Sequence, residues 1–121
     1  QLLRAARVHL DVGLHTGRLS FDDAVTYYTT HVDFMPDACV RAANDPQAQA
    51  VCDGARRAIY RYSKWPTQGI TYNLGKNDIA SLHERYRSRR GSGYSPREFH
   101  ERFMRMGPIP VGYFRDQFVG R

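Results

Sequence analysis

Long apolar runs are missing from this 121-residue chain. None approaches the roughly 18 consecutive apolar residues that a membrane-spanning helix requires, and no signal-peptide pattern opens the sequence. Cysteine is scarce. Cys39 and Cys52 are the two in the chain, with no CxxC and no Cys/His pairing at ligand spacing, which excludes a zinc site of the usual four-ligand kind. The stretches HERYR (83–87) and HERFM (100–104) each begin an HExxH but lack its second histidine. GxGxxG, the P-loop and GxSxG are absent, so the common dinucleotide, nucleotide and nucleophile-elbow signatures are absent as well. Period-2 alternation bounded by turn residues is also missing, which leaves no candidate strand.

What is present is ordinary for a globular protein: 41% apolar and 25% charged residues, enough chain for one domain with one core. The chain opens on Gln1 with a helix already under way, and the expectation is a piece of a longer polypeptide. The net charge is +6, from 18 basic and 12 acidic residues. That balance permits acidic protein, anionic lipid or nucleic acid as partners. The densest basic cluster, HERYRSRRGSGY (83–94), carries no nucleic-acid motif beside it. Arg87, Arg89 and Arg90 suit the negative pole of a helix C-terminus, so a solvated helix end is preferred there and no nucleic-acid partner is expected.

Punctuation is helical from end to end. A first helix runs to about Thr16 and stops at Gly17. Ser20 with Asp23 makes a capping box for a second helix. A short turn follows over FMPDACVRAAN. Asp45-Pro46 starts a helix that ends before Pro66. A fifth helix covers roughly 68–88. Ser95, Pro96 and Glu98 open another, closed by Gly107, and VGYFRDQFV forms a last short one. The fold class is therefore all-α, with five to six helices. The two cysteines, Cys39 and Cys52, are either bonded or two separate buried thiols, and the compartment, cytoplasmic or exported, stays open.

Two stretches stand out. In RVHLDVGLH (7–15), Arg7, Asp11 and His15 recur every four residues on one face of a mostly apolar, and so expectedly buried, helix. Buried charge needs a partner, so the stripe is either a paired network or part of a site. In QGITYNLGK (68–76), Gln68, Tyr72 and Gly75 share a face. A glycine inside a helix costs about 1 kcal/mol relative to alanine and commonly marks a close approach. Tyr72 is then either a core aromatic at a helix crossing or a phenol aimed at whatever approaches.

RAARVHLDVGLHTGRLSFDDAV, RYSKWPTQGITYNLGK and REFHERFMRMGPIPV occur in the order and spacing of one bacterial family's C-terminal part. Over nearly its whole length the chain resembles the domain of unknown function 885. Members of that family look like helical zinc metallopeptidases of the gluzincin type, distantly similar to the angiotensin-converting-enzyme and oligopeptidase folds. The resemblance implies that the zinc motif lies upstream, so zinc and its ligands belong to the full-length protein and none to this chain. It implies a peptide substrate, and either the missing N-terminal half or self-association to cover exposed apolar surface. Tyr72 becomes the candidate for stabilising an oxyanion, with His15 donating a second hydrogen bond. Gln68, Arg61 and Arg7 become substrate-binding candidates, and Asp11, paired with Arg7, orients His15. Some positions depart from the family. Residues 33–56 form a longer segment that holds both cysteines. An aromatic expected near Leu19 is missing. Ala58 stands where an acidic residue usually precedes Arg61 by one turn, and Thr67 stands where glycine is usual. The alternatives are a stand-alone basic interaction module and a catalytically inactive family member.

Overall fold

A computed structural model describes residues 2–120, and no strand occurs among them. The α-helices are α1 (Leu2–His15), α2 (Phe21–His31), α3 (Ala38–Arg41), α4 (Pro46–Lys64), α5 (Gln68–Arg90), α6 (Pro96–Arg105) and α7 (Arg115–Val119). Short 3₁₀ turns lie at Gly91–Gly93 and Val111–Tyr113. Five helices have ten residues or more, as the all-α reading expects, and the expected last helix divides into a 3₁₀ turn and α7. No helix is long and apolar enough to cross a membrane, among the described residues. The chain forms two compact units, Gln1–Asn73 and Leu74–Arg121, each with its own core.

In the first unit, Leu10, Ala24, Val25, Ala55, Ile59 and Tyr62 form the core. The buried positions of α4 are Ala48, Cys52, Ala55, Ile59 and Tyr62, one continuous helical stripe. Its alanines are small, which lets neighbouring helices come close. Asp45 caps α4 by accepting the Gln47 and Ala48 N–H groups at 2.9 and 3.2 Å. The Ala48 bond leads the effects that hold its carboxyl below the usual carboxylate range. α2 begins with the anticipated capping box: Ser20 Oγ accepts the Asp23 N–H at 3.1 Å, and Asp23 accepts the Ser20 N–H at 3.2 Å. Cys39 of α3 is disulfide-bonded to Cys52 of α4. A four-residue helix is far below the length that holds itself in water, and this link fastens α3 to its neighbour.

α1 departs from the fully buried helix expected of its composition. Ala6, Leu10, Asp11 and Gly13 are buried, while Leu2, Leu3 and Val12 are exposed. α2 and α4 cover one flank of it, and apolar residues outside that flank stay in solvent. Gly17 has φ +70°, the left-handed conformation that ends the helix, and the Arg18 and Leu19 N–H groups close back onto the Gly13 carbonyl.

In the second unit, Leu82, Tyr86, Phe99, Val111, Phe114, Phe118 and Val119 are packed with Tyr94, Phe103 and Met106. Aromatic pairs dominate, including Tyr86–Phe99 with ring centres 5.5 Å apart and Phe114–Phe118 at 5.7 Å. Much of the basic 83–94 cluster is spent here. Arg90 pairs with Glu98 and donates to the Tyr86 hydroxyl at 3.1 Å, while Arg87 lies over the Tyr94 ring. The hydrogen bond from Tyr86, followed by that from Arg90, holds the Glu98 carboxyl below its usual range.

Candidate functional site

The residues singled out in RVHLDVGLH and QGITYNLGK do meet, within the first unit. Asp11 is only 3% exposed. Its Oδ1 accepts the Thr67 N–H at 2.9 Å and its Oδ2 accepts the Gly69 N–H at 2.8 Å. These are amides at the N-terminus of α5, which lack partners within that helix. A carboxylate there also meets the positive end of the helix dipole. α5 is therefore capped by a side chain from α1, 56 to 58 residues earlier in the chain.

This changes the partnership expected for Asp11. Among the described residues no ion pair joins it to Arg7. Arg7 instead donates through Nη2 to the Gln68 Oε1 at 3.3 Å and lies over two rings, with Cζ 4.8 Å from the Tyr62 centroid and 4.7 Å from that of Tyr72. Its Nε is buried and has no hydrogen-bond partner. Backbone amides outcompete the guanidinium for Asp11 because both oxygens are taken in good geometry.

His15 lies beside Asp11, Nε2 to Oδ1 at 3.9 Å, and its Nε2 is 3.1 Å from the Tyr62 carbonyl oxygen. A carbonyl only accepts, so Nε2 carries the proton and donates it to α4. A neutral His15 then has no second N–H for a ligand. Arg61 is exposed and lies over the ring of its neighbour Tyr62 at 5.4 Å. Tyr28 is close by. Burial, followed by the proximity of Tyr62 and Asp33, raises its phenol above the ordinary value.

Tyr72 sits one turn into α5. It is no core aromatic, being 47% exposed, and its hydroxyl makes no hydrogen bond to any described residue. Arg4 joins Arg7 beside its ring, with Cζ 5.7 Å from the centroid. Gly75 faces open space: a Cβ built there meets nothing within 4 Å. The close approach occurs at Gly69 instead, where a Cβ would stand 2.9 Å from Asp11 Oδ2 and 3.0 Å from the Arg7 carbonyl oxygen.

Gly69, Thr67, Tyr62 and Arg4 escape the sequence reading. Tyr62 carries a signal, as the last member of the apolar stripe of α4. Thr67 carries one too, since it occupies a position that the resemblance gives to glycine. Its φ is +71°, a left-handed conformation that a β-branched residue rarely adopts.

Among the described residues, no group of three or more His, Cys, Asp or Glu side chains is placed to hold a metal ion. The side chains gathered here do other work: a buried carboxylate that fixes a helix end, two guanidiniums on aromatic faces, and an unbonded phenol at the surface. Neither the curated proteins nor the solved structures offer a match to this chain. One family model does match, over residues 1–118, and on that match the chain belongs to the family described as bacterial protein of unknown function, DUF885.

Proposed function

We propose that this chain supplies transition-state and substrate-binding groups to a zinc-dependent, peptidase-like hydrolase whose metal ligands lie outside the described residues. One observation carries the reading: Tyr72, 47% exposed, presents a hydroxyl that bonds to no described residue, from the first turns of a helix whose start is pinned by Asp11. A phenol held in place before the reaction stabilises an oxyanion because no reorganisation is needed when the charge forms. The gluzincin-like resemblance supports the same role. Gln68 and Arg7 lie next to Tyr72 and suit substrate binding. Asp11 acts at one remove, by fixing the α5 start. Among the described residues no group of three or more His, Cys, Asp or Glu side chains is placed to hold a metal ion, and the roles assigned to Tyr72, Gln68, Arg7 and Asp11 are hydrogen bonding and positioning. The Cys39–Cys52 bond fits a polypeptide that passes through an oxidising compartment.

The test is Tyr72→Phe in the polypeptide as the cell makes it, assayed on unblocked and blocked peptides. Turnover should fall by on the order of 10²-fold, the usual cost of losing one oxyanion donor, with the circular dichroism spectrum unchanged. Equal turnover in wild type and variant removes Tyr72 from the chemistry. No peptide cleavage by the wild type defeats the hydrolase reading.

A further inference from the structure

We infer that Arg4 and Arg7, on the ring of Tyr72, form a binding site for the C-terminal carboxylate of a peptide. The inference rests on the hydrolase reading for the identity of the ligand, and on charge and geometry for the site itself. Arg4 and Arg7 are three residues apart on α1, so they emerge on one face. Both guanidiniums lie within 5.7 Å of the Tyr72 ring centre. Neither forms an ion pair with an acidic side chain among the described residues. Asp11, one turn beyond Arg7 on α1, is buried and has both oxygens committed to the amides of α5. Two cations therefore share one surface without a neutralising group among the described residues.

Stacking on an aromatic ring leaves the edge of a guanidinium, with its N–H donors, pointing outward. Arg7 uses Nη2 for Gln68 and leaves its other terminal nitrogen uncommitted. A planar anion with two acceptor oxygens complements such donors bidentately. The neighbouring Tyr72 hydroxyl sets where the reacting bond would lie. Two residues of extended chain reach about 7 Å, so a carboxylate held on the outer edge of these guanidiniums puts a bond near the peptide's C-terminus within reach of that hydroxyl. The substrate class is then a peptide with a free C-terminus, cleaved close to that end.

Acetyl-dialanine with a free carboxylate, its C-terminal amide and inorganic phosphate are each titrated into the 121-residue chain at low salt by calorimetry. The free acid should bind at least tenfold more tightly than the amide. Arg4→Met, at an exposed position, should remove that preference without altering the circular dichroism spectrum, and Arg7→Met should do the same. Equal affinity for acid and amide overturns the site. Phosphate binding tighter than the free acid overturns the peptide assignment. The hydrolase reading is separated by assaying cleavage of both peptides by the natural polypeptide. Binding of the free acid with cleavage of neither peptide upholds the carboxylate site and defeats the hydrolase reading. Cleavage of both at equal efficiency, with no preference in binding, defeats the site and leaves the hydrolase reading intact.

Discussion

The Asp11 carboxylate of α1 accepts the Gly69 N–H of α5 at 2.8 Å, and the same carboxylate accepts the Thr67 N–H through its other oxygen. One side chain thus joins two helices at the point where α5 begins. Substituting it leaves two amide donors without their acceptor in a nearly closed site. Asp11→Ala should lower stability by about 3 kcal/mol, the scale of losing buried, charge-assisted bonds. Asp11→Asn keeps the shape but sets an amide NH₂ against a backbone N–H, so it should rescue less than half of the loss. Urea unfolding of the two variants against wild type measures both.

Two glycines of α5 should answer oppositely to alanine. Gly69→Ala forces a methyl to 2.9 Å from Asp11 Oδ2 and 3.0 Å from the backbone oxygen of Arg7, which cannot move aside alone. A loss of about 1–3 kcal/mol is expected for such overpacking. Gly75→Ala meets open space in a helix interior and should gain up to about 1 kcal/mol from helix propensity. Thermal unfolding of both variants checks the contrast, and a destabilised Gly75→Ala would show that something packs on that face.

Thr67 bears backbone strain that glycine would relieve. At φ +71° an L-residue costs roughly 1–2 kcal/mol. Thr67→Gly retains the N–H that Asp11 accepts, so the capping bond survives. The variant should be more stable than wild type by about 1 kcal/mol, after allowance for the greater freedom of glycine in the unfolded chain. Chemical unfolding provides the readout, and a less stable variant would mean that the threonine side chain contributes more than the strain removes.

The Cys39–Cys52 bond closes a loop with a sequence separation of 13. Loops near that length restrict the unfolded chain by about 3 kcal/mol. Reduction, or the Cys39→Ser and Cys52→Ser pair, should lower stability by that amount. Hydrogen exchange should locate the first loss of protection in Ala38–Arg41. Unchanged protection there would show that packing alone retains α3.

Helix ends and helical character were legible because they depend on neighbours in sequence. Ser20 with Asp23, Asp45 before Pro46, and Ser95 before Pro96 cap the helices that they precede, through bonds spanning two or three residues. The one-face placement of Arg7, Asp11 and His15, and the shared face of Gln68 and Tyr72, follow from the helical repeat in the same way. Partners across the fold were not legible. That Asp11 would serve the amides of Thr67 and Gly69 rather than Arg7, and that His15 would donate to the Tyr62 carbonyl, depended on which helix ends pack against α1. The exposure of Leu2, Leu3 and Tyr72 depended on which flanks the other helices cover. Local pattern determined where α2, α4 and α6 begin and which residues share a helix face. The packing of α1 against α4 and the start of α5 decided which polar groups were satisfied, because a buried acceptor bonds the donors that tertiary contact brings within about 3 Å, however far away they lie in the chain.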